Sequence, residues 1–354
     1  MSSRDATLLI RTDAGPAIGF GHAMRCLALA QAWQDQGGRV VFAMSASVPS
    51  FEDRLQREGI TFRQILADPG SEQDAASTLT LAEGASAIVL DGYHFTDSFQ
   101  QTIKRGGIPL LAIDDDGHTS HRHADIVLNQ NISAHEISYR SGPMFLLGTR
   151  YAMLRREFRE ATWIDRDFSK SASKILVTLG GGDPGLVLSN VIQALCRLHV
   201  RDVKIRLIAG PASGRLESLR QGREVLGSRL EILGAVEDMP AEIAWADIAL
   251  TAAGSTCWEL AFMGLPALTI VLAENQRGIA RGMDAAGATR NLGWHQDLSA
   301  STLTEGLEAL IEDHIARRSM SERGRTIVDG RGAERVCRQI KTLVAEHASS
   351  PTLQ

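Results

Sequence analysis

Three residues near the start of the sequence, Gly19, Gly21 and His22, could carry out acid–base chemistry on a bound ligand. They follow an apolar run at residues 8–10, and apolar residues recur at helical spacing over residues 26–33, so a strand, a loop and a helix are predicted in that order. Glycines let a ligand approach the backbone closely. In the first turn of a helix the dipole disfavours a charged imidazolium, and a neutral ring can accept a proton from water. A structural alternative, in which His22 only caps the helix, is equally compatible with this spacing.

A second glycine-rich loop, at residues 180–182, follows an apolar run at residues 175–179 and is suited to hold a phosphate group. Between a strand and a helix, such a loop directs free backbone N–H groups at an anion, and the helix dipole adds to the attraction. Gly181 and Gly182 are therefore candidate phosphate-binding residues. The sequence matches neither a P-loop nor the dinucleotide-binding fingerprint, so a tight turn capped by Asp183 is the alternative.

A third loop contains Gly254, Ser255 and Thr256 after a predicted strand at residues 248–250, with Glu259 about one turn further along. The two hydroxyl groups can donate hydrogen bonds, and a carboxylate can accept them from the two hydroxyls of a ribose. The alternative is a capping arrangement in which Glu259 satisfies the amides of the first helical turn.

Two adjacent carboxamides, Asn275 and Gln276, follow the predicted strand at residues 267–271. Carboxamides donate hydrogen bonds to phosphate oxygens and accept them from sugar hydroxyls. In an α/β fold, ligands bind outside the carboxyl ends of the strands, which is where these two side chains are predicted.

Other polar clusters are interpreted as structural. The acidic and histidine-rich loop, with Asp114, Asp115, Asp116, His118, His121 and His123, has metal-ligand residue types, but its spacing matches no standard metal site. It is predicted to be a polar loop in which one aspartate caps a helix and the histidines face solvent. The arginine pairs at residues 155–156 and 317–318 are predicted to lie on solvated helix faces.

The composition excludes several classes of protein. The 354 residues are 44% hydrophobic and 22% charged, as is typical of a globular protein. The net charge of −5 argues against a general nucleic-acid binder, which usually has a basic face. Four scattered cysteines predict buried thiols in a reducing compartment. Neither a signal peptide nor a membrane-length apolar run is present, so a cytoplasmic protein without a membrane partner is predicted.

The elements that must position these residues alternate along the chain, as in the βαβ units of a parallel sheet. Strands are predicted at residues 8–10, 40–44, 87–90, 110–113 and 126–128, and again at residues 174–179, 203–209, 230–233, 248–250 and 267–271. A charged, serine-containing stretch near residues 155–174 separates the two series. The prediction is an α/β fold with two Rossmann-like domains, residues 1–162 and 172–332, whose parallel sheets face a central cleft. A terminal helix at residues 333–348 is expected to pack back toward the first domain.

Several motifs occur in an order that resembles the carboxyl domain of MurG-type GT-B enzymes, which bind UDP-sugars. These motifs are Gly180-Gly181-Gly182, Ala246-Asp247, Gly254-Ser255-Thr256, Glu259, Gly264-Leu265-Pro266 and Asn275-Gln276. Further matching motifs are Gly19-Phe20-Gly21-His22-Ala23-Met24-Arg25, Asp91-Gly92-Tyr93, Asn129-Gln130-Asn131 and residues 329–336. Up to about Arg338 the chain resembles the PseG family, the UDP-2,4-diacetamido-2,4,6-trideoxy-β-L-altropyranose hydrolases of pseudaminic acid biosynthesis. The related spore-coat polysaccharide proteins share much of this pattern.

The resemblance implies a GT-B fold and an enzyme that hydrolyses the C1–O bond of its UDP-sugar with inversion, without a metal or another cofactor. It implies that His22 is the general base and that Tyr93 has a supporting catalytic role. The predicted contacts with substrate and UDP are Gly19, Gly21, Arg25, Asp91, Gly181, Gly182, Gly254, Ser255, Thr256, Glu259, Asn275 and Gln276. Because UDP is a good leaving group, no strong general acid is required if the diphosphate charge is stabilised.

Alternatives to this hydrolase remain open. A MurG-like inverting glycosyltransferase would use the same UDP-sugar donor with an acceptor hydroxyl in place of water, and a hydrolase could act on a related UDP-diamino-sugar. A non-catalytic nucleotide-sugar-binding subunit is disfavoured, because a pure binder would not need His22. The configuration and acyl groups of the sugar stay undetermined, as does any contribution of His94 or residues 114–116. A monomer is expected.

Overall fold

The computed structural model describes residues 6–15, 18–139, 141–161, 165–180, 185–200, 202–209, 217–234 and 236–349. The chain divides into two compact units. The first unit comprises residues 1–156 together with residues 330–354, and the second comprises residues 157–329. Within the described ranges, no helix is long and apolar enough to cross a membrane.

The first unit is built on a seven-stranded sheet. Its strands are β1 (Thr7–Thr12), β2 (Arg39–Met44), β3 (Thr61–Gln64), β4 (Ala87–Asp91), β5 (Leu110–Ile113), β6 (Ile126–Asn129) and β7 (Met144–Leu147). They pair in parallel in the order β3-β2-β1-β4-β5-β6-β7. Leu8 and Ile10 face one apolar core and Leu9 faces another, so β1 is buried on both faces. Such two-sided burial explains why the strand is a continuous apolar run.

The strand register collects polar residues at one edge of this sheet. Thr12 pairs with Asp91, and Asp91 pairs with Ile113. Asp13 and Asp114 follow directly on β1 and β5, so both lie at the same edge as Asp91. This carboxyl edge is where parallel α/β sheets bind their ligands.

Helices cover the faces of this sheet. They are α1 (Gly21–Gln34), α2 (Pro49–Arg57), α3 (Glu72–Leu81) and α4 (Asp97–Lys104), and the short α5 (Arg156–Glu160) follows. Eleven residues of α1 are buried, which is why its sequence is apolar almost all round. The Ser71 hydroxyl accepts a hydrogen bond from the Asp74 amide at 3.1 Å and so caps α3.

The second unit has a six-stranded parallel sheet. Its strands are β8 (Lys174–Thr178), β9 (Lys204–Ile208), β10 (Leu230–Leu233), β11 (Ile248–Ala252), β12 (Ala267–Val271) and β13 (Thr289–Trp294), in the order β10-β9-β8-β11-β12-β13. Its helices are α6 (Gly185–Arg197), α7 (Glu217–Leu226), α8 (Met239–Trp245), α9 (Thr256–Met263), α10 (Arg277–Ala285), α11 (Ala300–Glu312) and α12 (His314–Ile327).

The last helix, α13 (Gly332–Ser349), returns to the first unit and packs on α1. Ala333, Val336, Cys337 and Ile340 are buried in the same core as Leu8 and Ile10. A side chain at Gly332 would overlap the carbonyl oxygen of Ala152, so this close approach requires a glycine.

Two parallel-sheet Rossmann-like units confirm the predicted fold class, and each predicted strand is present. The strands β3, β7 and β13 were not predicted; each lies at an edge of its sheet. The prediction for Arg317 is wrong. Arg317 does not lie on a solvated helix face, because it is 2% exposed and donates to the carbonyl oxygens of Leu310, Ile311 and Lys170.

Candidate active site

His22 forms a hydrogen-bonded pair with a buried carboxylate. It is the second residue of α1, and Phe20 occupies the capping position, so His22 does not act as the helix cap. Its Nδ1 lies 2.6 Å from Oδ1 of Asp91, the last residue of β4. Asp91 is fully buried, whereas the His22 side chain is 10% exposed. With Nδ1–H donating to the carboxylate, Nε2 is left as the basic nitrogen of the ring.

Arg25 keeps this carboxylate ionised. Its Nε and Nη2 donate to the two oxygens of Asp91 at 2.7 and 2.6 Å. Burial alone would raise the pKa of the Asp91 carboxyl, but the positive charges of Arg25 and His22 and their hydrogen bonds outweigh burial and hold it well below its ordinary value. The Cys26 thiol also donates to Asp91, at 3.3 Å, and burial beside this carboxylate raises the thiol pKa.

Arg25 also binds a second carboxylate, Asp115, through Nη1 and Nη2 at 2.7 and 3.0 Å. The Tyr93 hydroxyl donates to Asp115 at 3.0 Å, and the Asn131 amide donates at 3.0 Å. The Tyr93 ring stands edge-on to the His22 ring, with their centroids 5.2 Å apart. The structure therefore joins His22 and Tyr93 through one network of two carboxylates and a guanidinium.

Asp91 and Arg25 are both buried beside His22. Both oxygens of Asp91 are occupied by its neighbours, and the Arg25 side chain is only 7% exposed. A carboxylate in this position holds the His22 ring. The substrate contacts expected at Asp91 and Arg25 stay predictions.

The loop before His22 turns sharply. Gly19 has φ of +80°, which favours glycine, and its amide and carbonyl pair with those of Gly15 in an isolated bridge. Gly21 starts α1 directly before His22. Both predicted glycines therefore shape the approach to the histidine.

The neighbouring histidines form a separate cluster around Asp114, whose Oδ1 lies 2.8 Å from His118 Nδ1 and 3.3 Å from His121 Nε2. Burial would raise the pKa of Asp114, but hydrogen bonds from His118, His121 and Tyr139 outweigh it and lower that pKa. The pKa of His118 is raised, because its bond to Asp114 outweighs burial. His121 is 1% exposed, so the prediction that it faces solvent is wrong.

The same cluster holds the three donor atoms that a metal ion could use, on Asp114, His118 and His121, all within 4.8 Å of one another. The Gln100 amide nitrogen, however, donates to the Phe95 carbonyl at 2.9 Å and lies 3.0 Å from His121 Nδ1. Because Nδ1 faces a donor, the proton of His121 is on Nε2, the nitrogen that would have to bind the ion. Metal-binding histidines instead donate from the other nitrogen to an acceptor. The donor set therefore does not fit a cation.

His94 belongs to another pair. Its Nε2 lies 3.1 Å from Oδ2 of Asp13. The other oxygen of Asp13, Oδ1, accepts hydrogen bonds from the amide and the hydroxyl of Ser45 at 2.7 Å each. Burial would raise the pKa of Asp13, but His94, Arg11 and Ser45 together lower it to about 2. His94 is thus paired with Asp13.

In the second unit, the predicted nucleotide-binding residues gather at the carboxyl edge of the sheet. Gly254, Ser255 and Thr256 follow β11 and lead into α9, and all three are partly exposed. The Ser255 hydroxyl makes no capping hydrogen bond. Gln276, after β12, lies next to this loop, with its amide nitrogen 3.9 Å from the position of a Cβ on Gly254. The structure therefore brings these two predicted segments together.

Glu259 lies one turn inside α9 and is partly exposed, as is Asn275. The Gln276 side-chain oxygen accepts a bond from the Leu272 amide at 2.9 Å, which fixes the start of this segment. Gly181 and Gly182 lie outside the described residues.

Sequence reasoning missed Asp115 and Asn131 as partners of the predicted catalytic residues. Asn131 was part of a motif without a role, and Asp115 was part of an acidic run whose contribution to the site was left open. A strand end followed by acidic residues is a signal for the carboxyl edge of the sheet. It does not tell which of three consecutive aspartates faces His22.

Comparisons with known proteins agree with this architecture. Residues 175–330 match the glycosyltransferase family 28 C-terminal domain. The spore coat polysaccharide biosynthesis protein SpsG of Bacillus subtilis is 28% identical over 190 residues, or 53% of this chain and 56% of that protein. A UDP-N-acetylglucosamine–N-acetylmuramyl-(pentapeptide) pyrophosphoryl-undecaprenol N-acetylglucosamine transferase of Alkalilimnicola ehrlichii is 32% identical over 158 residues, or 42% and 43% of the two chains. The chain spans about half the length of the curated relatives that it matches first, 56% of each.

Among solved structures, MurG of Acinetobacter baumannii superimposes with a TM-score of 0.66 at 19% identity, over 95% of this chain and 99% of that protein. At this level of identity the likeness concerns the fold. The chain therefore has the two-domain α/β fold of these GT-B structures, and its residues 175–330 match the glycosyltransferase family 28 C-terminal domain.

Proposed function

We propose that this protein is a UDP-sugar hydrolase in which His22 activates the attacking water. The observation that carries the proposal is the 2.6 Å hydrogen bond between His22 Nδ1 and the buried, ionised Asp91. This bond orients the ring and stabilises the imidazolium that forms when Nε2 takes a proton, as in the Ser-His-Asp triad.

In the proposed step, the water oxygen forms a bond to C1 of the sugar while the bond from C1 to the diphosphate oxygen breaks. The electron pair of the broken bond leaves with UDP, and the water proton goes to His22 Nε2. Attack opposite the leaving group inverts the configuration at C1. Tyr93, edge-on to His22 and bonded to Asp115, supports this centre.

Nucleotide binding is assigned to the second unit. The amides at the start of α9, with the hydroxyls of Ser255 and Thr256, suit a diphosphate, and Glu259 suits the ribose hydroxyls. The match to the family 28 C-terminal domain supports this assignment. So does the relative from Alkalilimnicola ehrlichii, whose name specifies UDP-N-acetylglucosamine.

The proposed substrate is UDP-2,4-diacetamido-2,4,6-trideoxy-β-L-altrose, within pseudaminic acid biosynthesis. This finer assignment rests on the motif resemblance to the PseG family. A MurG-like inverting glycosyltransferase is the second candidate, favoured by the transferase names among the relatives. In that case an acceptor hydroxyl replaces the water, and His22 keeps the same role.

The proposal is tested by measuring UDP release from a panel of UDP-2,4-diacetamido sugars without any acceptor. We expect turnover by the unmodified protein and a roughly 10²- to 10⁴-fold slower rate for His22→Asn, the usual worth of general base catalysis. His123→Asn is the matched control, since His123 lies outside the His22 network, and it should turn over normally. UDP release that requires an added acceptor would identify a transferase. Release by His22→Asn at the unmodified rate would exclude His22 as the base.

A further inference from the structure

Asp115 connects Arg25, Tyr93 and Asn131 in the hydrogen-bond network around His22. It lies in the loop after β5, two residues beyond the end of the strand, and its side chain is 10% exposed. Its Oδ1 accepts from Arg25 and Asn131, and its Oδ2 accepts from Arg25 and Tyr93. Burial would raise its pKa, but the charge of Arg25 outweighs burial and lowers it, so Asp115 is a carboxylate at neutral pH.

The groups around His22 carry a net negative charge. Asp91 and Asp115 are anionic and Arg25 is cationic, so the three together carry one negative charge when the ring is neutral. A proton taken by His22 brings the sum to zero. Because these charged groups are largely buried and close together, water screens the attraction between them only weakly.

The Tyr93 hydroxyl donates a hydrogen bond to Oδ2 of Asp115 at 3.0 Å. A hydroxyl that donates in this way presents its oxygen lone pairs to any other partner. The Tyr93 ring is exposed to solvent and makes T-shaped contacts with the rings of His22 and His118, whose centroids are 5.2 and 5.6 Å away. Its oxygen is therefore poised to accept a hydrogen bond from the attacking water or from a donor on the sugar.

We propose that Asp115 is a positioning residue that couples Tyr93 to the His22–Asp91 pair, by orienting the tyrosine hydroxyl as an acceptor and by holding Arg25 between the two carboxylates. This inference rests on the proposed function and adds a residue to its machinery. Asp115 itself touches neither His22 nor a reacting atom; it acts through Arg25 and Tyr93.

Several charged or titratable groups surround the His22 ring, and a pH experiment must take account of all of them. Helix α1 supplies Arg25 and Cys26, and β4 with the loop after it supplies Asp91 and Tyr93. The loop after β5 supplies Asp115, and also His118, whose ring contacts that of Tyr93. Of these groups, the substitution Asp115→Asn changes the charge of Asp115 alone and preserves its shape.

The test compares Asp115→Asn with Asp116→Asn, its exposed neighbour, in UDP-release kinetics between pH 5 and 9. We expect kcat of Asp115→Asn to fall on the order of 10²-fold, as for a misplaced catalytic group, while KM changes little. Loss of the negative charge disfavours protonated His22, so the acid limb of the kcat/KM profile should move to lower pH by about one unit. Asp116→Asn should keep the unmodified values. Asp115→Glu, which restores the charge, should return the acid limb toward its original position.

A double-mutant cycle with Tyr93→Phe separates coupling from general damage. If Asp115 works through Tyr93, the double variant should be no more than a few fold slower than Asp115→Asn alone. Additive losses, or an Asp115→Asn protein with an unmoved acid limb, would overturn the proposal. So would kinetics of Asp115→Asn that equal those of Asp116→Asn.

A failure of the proposed function would show itself separately, as an absence of UDP release by the unmodified protein from every sugar tested. Nitrogen-15 NMR of the histidine rings then provides the readout. The inference expects His22 to carry its proton on Nδ1 when neutral, and its titration midpoint to fall in Asp115→Asn but not in Asp116→Asn. An unchanged midpoint would refute the coupling whatever the reaction is.

Discussion

Glu259 offers a test of the second unit at the scale of one side chain. It lies one turn inside α9, beside a loop with partly exposed hydroxyls at Ser255 and Thr256. If its carboxylate accepts bonds from a ribose, Glu259→Ala should weaken UDP binding by ~1.5–3 kcal/mol, the worth of charge-assisted hydrogen bonds. Calorimetric titration with UDP measures this directly. Glu305→Ala, on the exposed face of α11, is the control and should bind UDP normally; equal affinities of the two variants would rule out the proposed contact.

The residues around His22 show how much of a site can be predicted from short sequence motifs. His22 could be named from its place after a predicted strand, and Arg25, Asp91 and Tyr93 from the motif resemblance. Their mutual roles could not, since Arg25 and Asp115 are separated by 90 positions and meet only in the folded unit. A motif also does not reveal that a carboxylate is fully buried, and burial is what makes Asp91 a partner of the imidazole.

Among the helices of the second unit, Arg317 has an unusual structural role. From α12 it donates to carbonyl oxygens at the end of α11 and to that of Lys170, in the segment before β8. The last carbonyl oxygens of a helix have no hydrogen-bond donor within the helix. Here one buried guanidinium donates hydrogen bonds to them.

Removal of this guanidinium should therefore destabilise the second unit. We expect Arg317→Met to lower its free energy of unfolding by about 2–4 kcal/mol, because several buried carbonyls lose their donor. Chemical denaturation of the variant provides the measurement. Arg318→Met, one position along on the exposed side, should change the stability by about 0.5 kcal/mol or less. If both variants unfolded at the same denaturant concentration, the capping role of Arg317 would be disproved.

The strands that escaped prediction are edge strands. In β3, three of four residues are exposed, and the sequence Thr61, Phe62, Arg63, Gln64 contains no apolar run. This edge strand is covered on fewer sides, so its composition reflects contact with solvent rather than burial. The same reason does not apply to β7, whose four residues are all apolar. Central strands such as β4 and β11 are buried throughout and could be predicted from their apolar residues alone.

Over the whole molecule, the response to acid should differ between the two units. In the first unit the buried carboxyls of Asp13, Asp91, Asp114 and Asp115 all have lowered pKa values. A carboxyl with a lowered pKa stabilises the folded unit at any pH above its ordinary pKa of about 4. That stabilisation is lost as the pH falls through the pKa of the folded state. For Asp13, whose pKa is about 2, the loss runs from roughly pH 4 down to pH 2.

In the second unit the lowered carboxyls, such as Glu217 and Glu274, lie at the surface, where ion pairs contribute little. We therefore expect the first unit to unfold first as the pH falls below about 4, as measured by hydrogen exchange of peptides from each unit. Asp13→Asn should be less stable than the unmodified protein at pH 7, by about 2 kcal/mol, and the difference should vanish near pH 2. Simultaneous unfolding of both units would contradict this expectation.

His118 adds a dependence of the opposite sign to the first unit. The pKa of His118 is raised by Asp114. Its contribution to the stability of the folded unit is therefore complete below the ordinary histidine pKa of about 6.5, and it is lost as the pH rises through the raised pKa. The first unit should consequently be most stable between about pH 4 and pH 6.5. The monomeric state expected for the molecule remains a prediction, which sedimentation can test.

The return of α13 to the first unit bears on how the protein is made. On the ribosome, residues 7–147 emerge early, but Ala333, Val336 and Ile340, which complete the core beside β1 and α1, are synthesised only after the whole second unit. The second unit is continuous in the chain and can fold as soon as it emerges, whereas the first must wait with an apolar surface uncovered. The amino-terminal half of the nascent chain is thus the part most in need of chaperone protection, although it is the first to leave the exit tunnel.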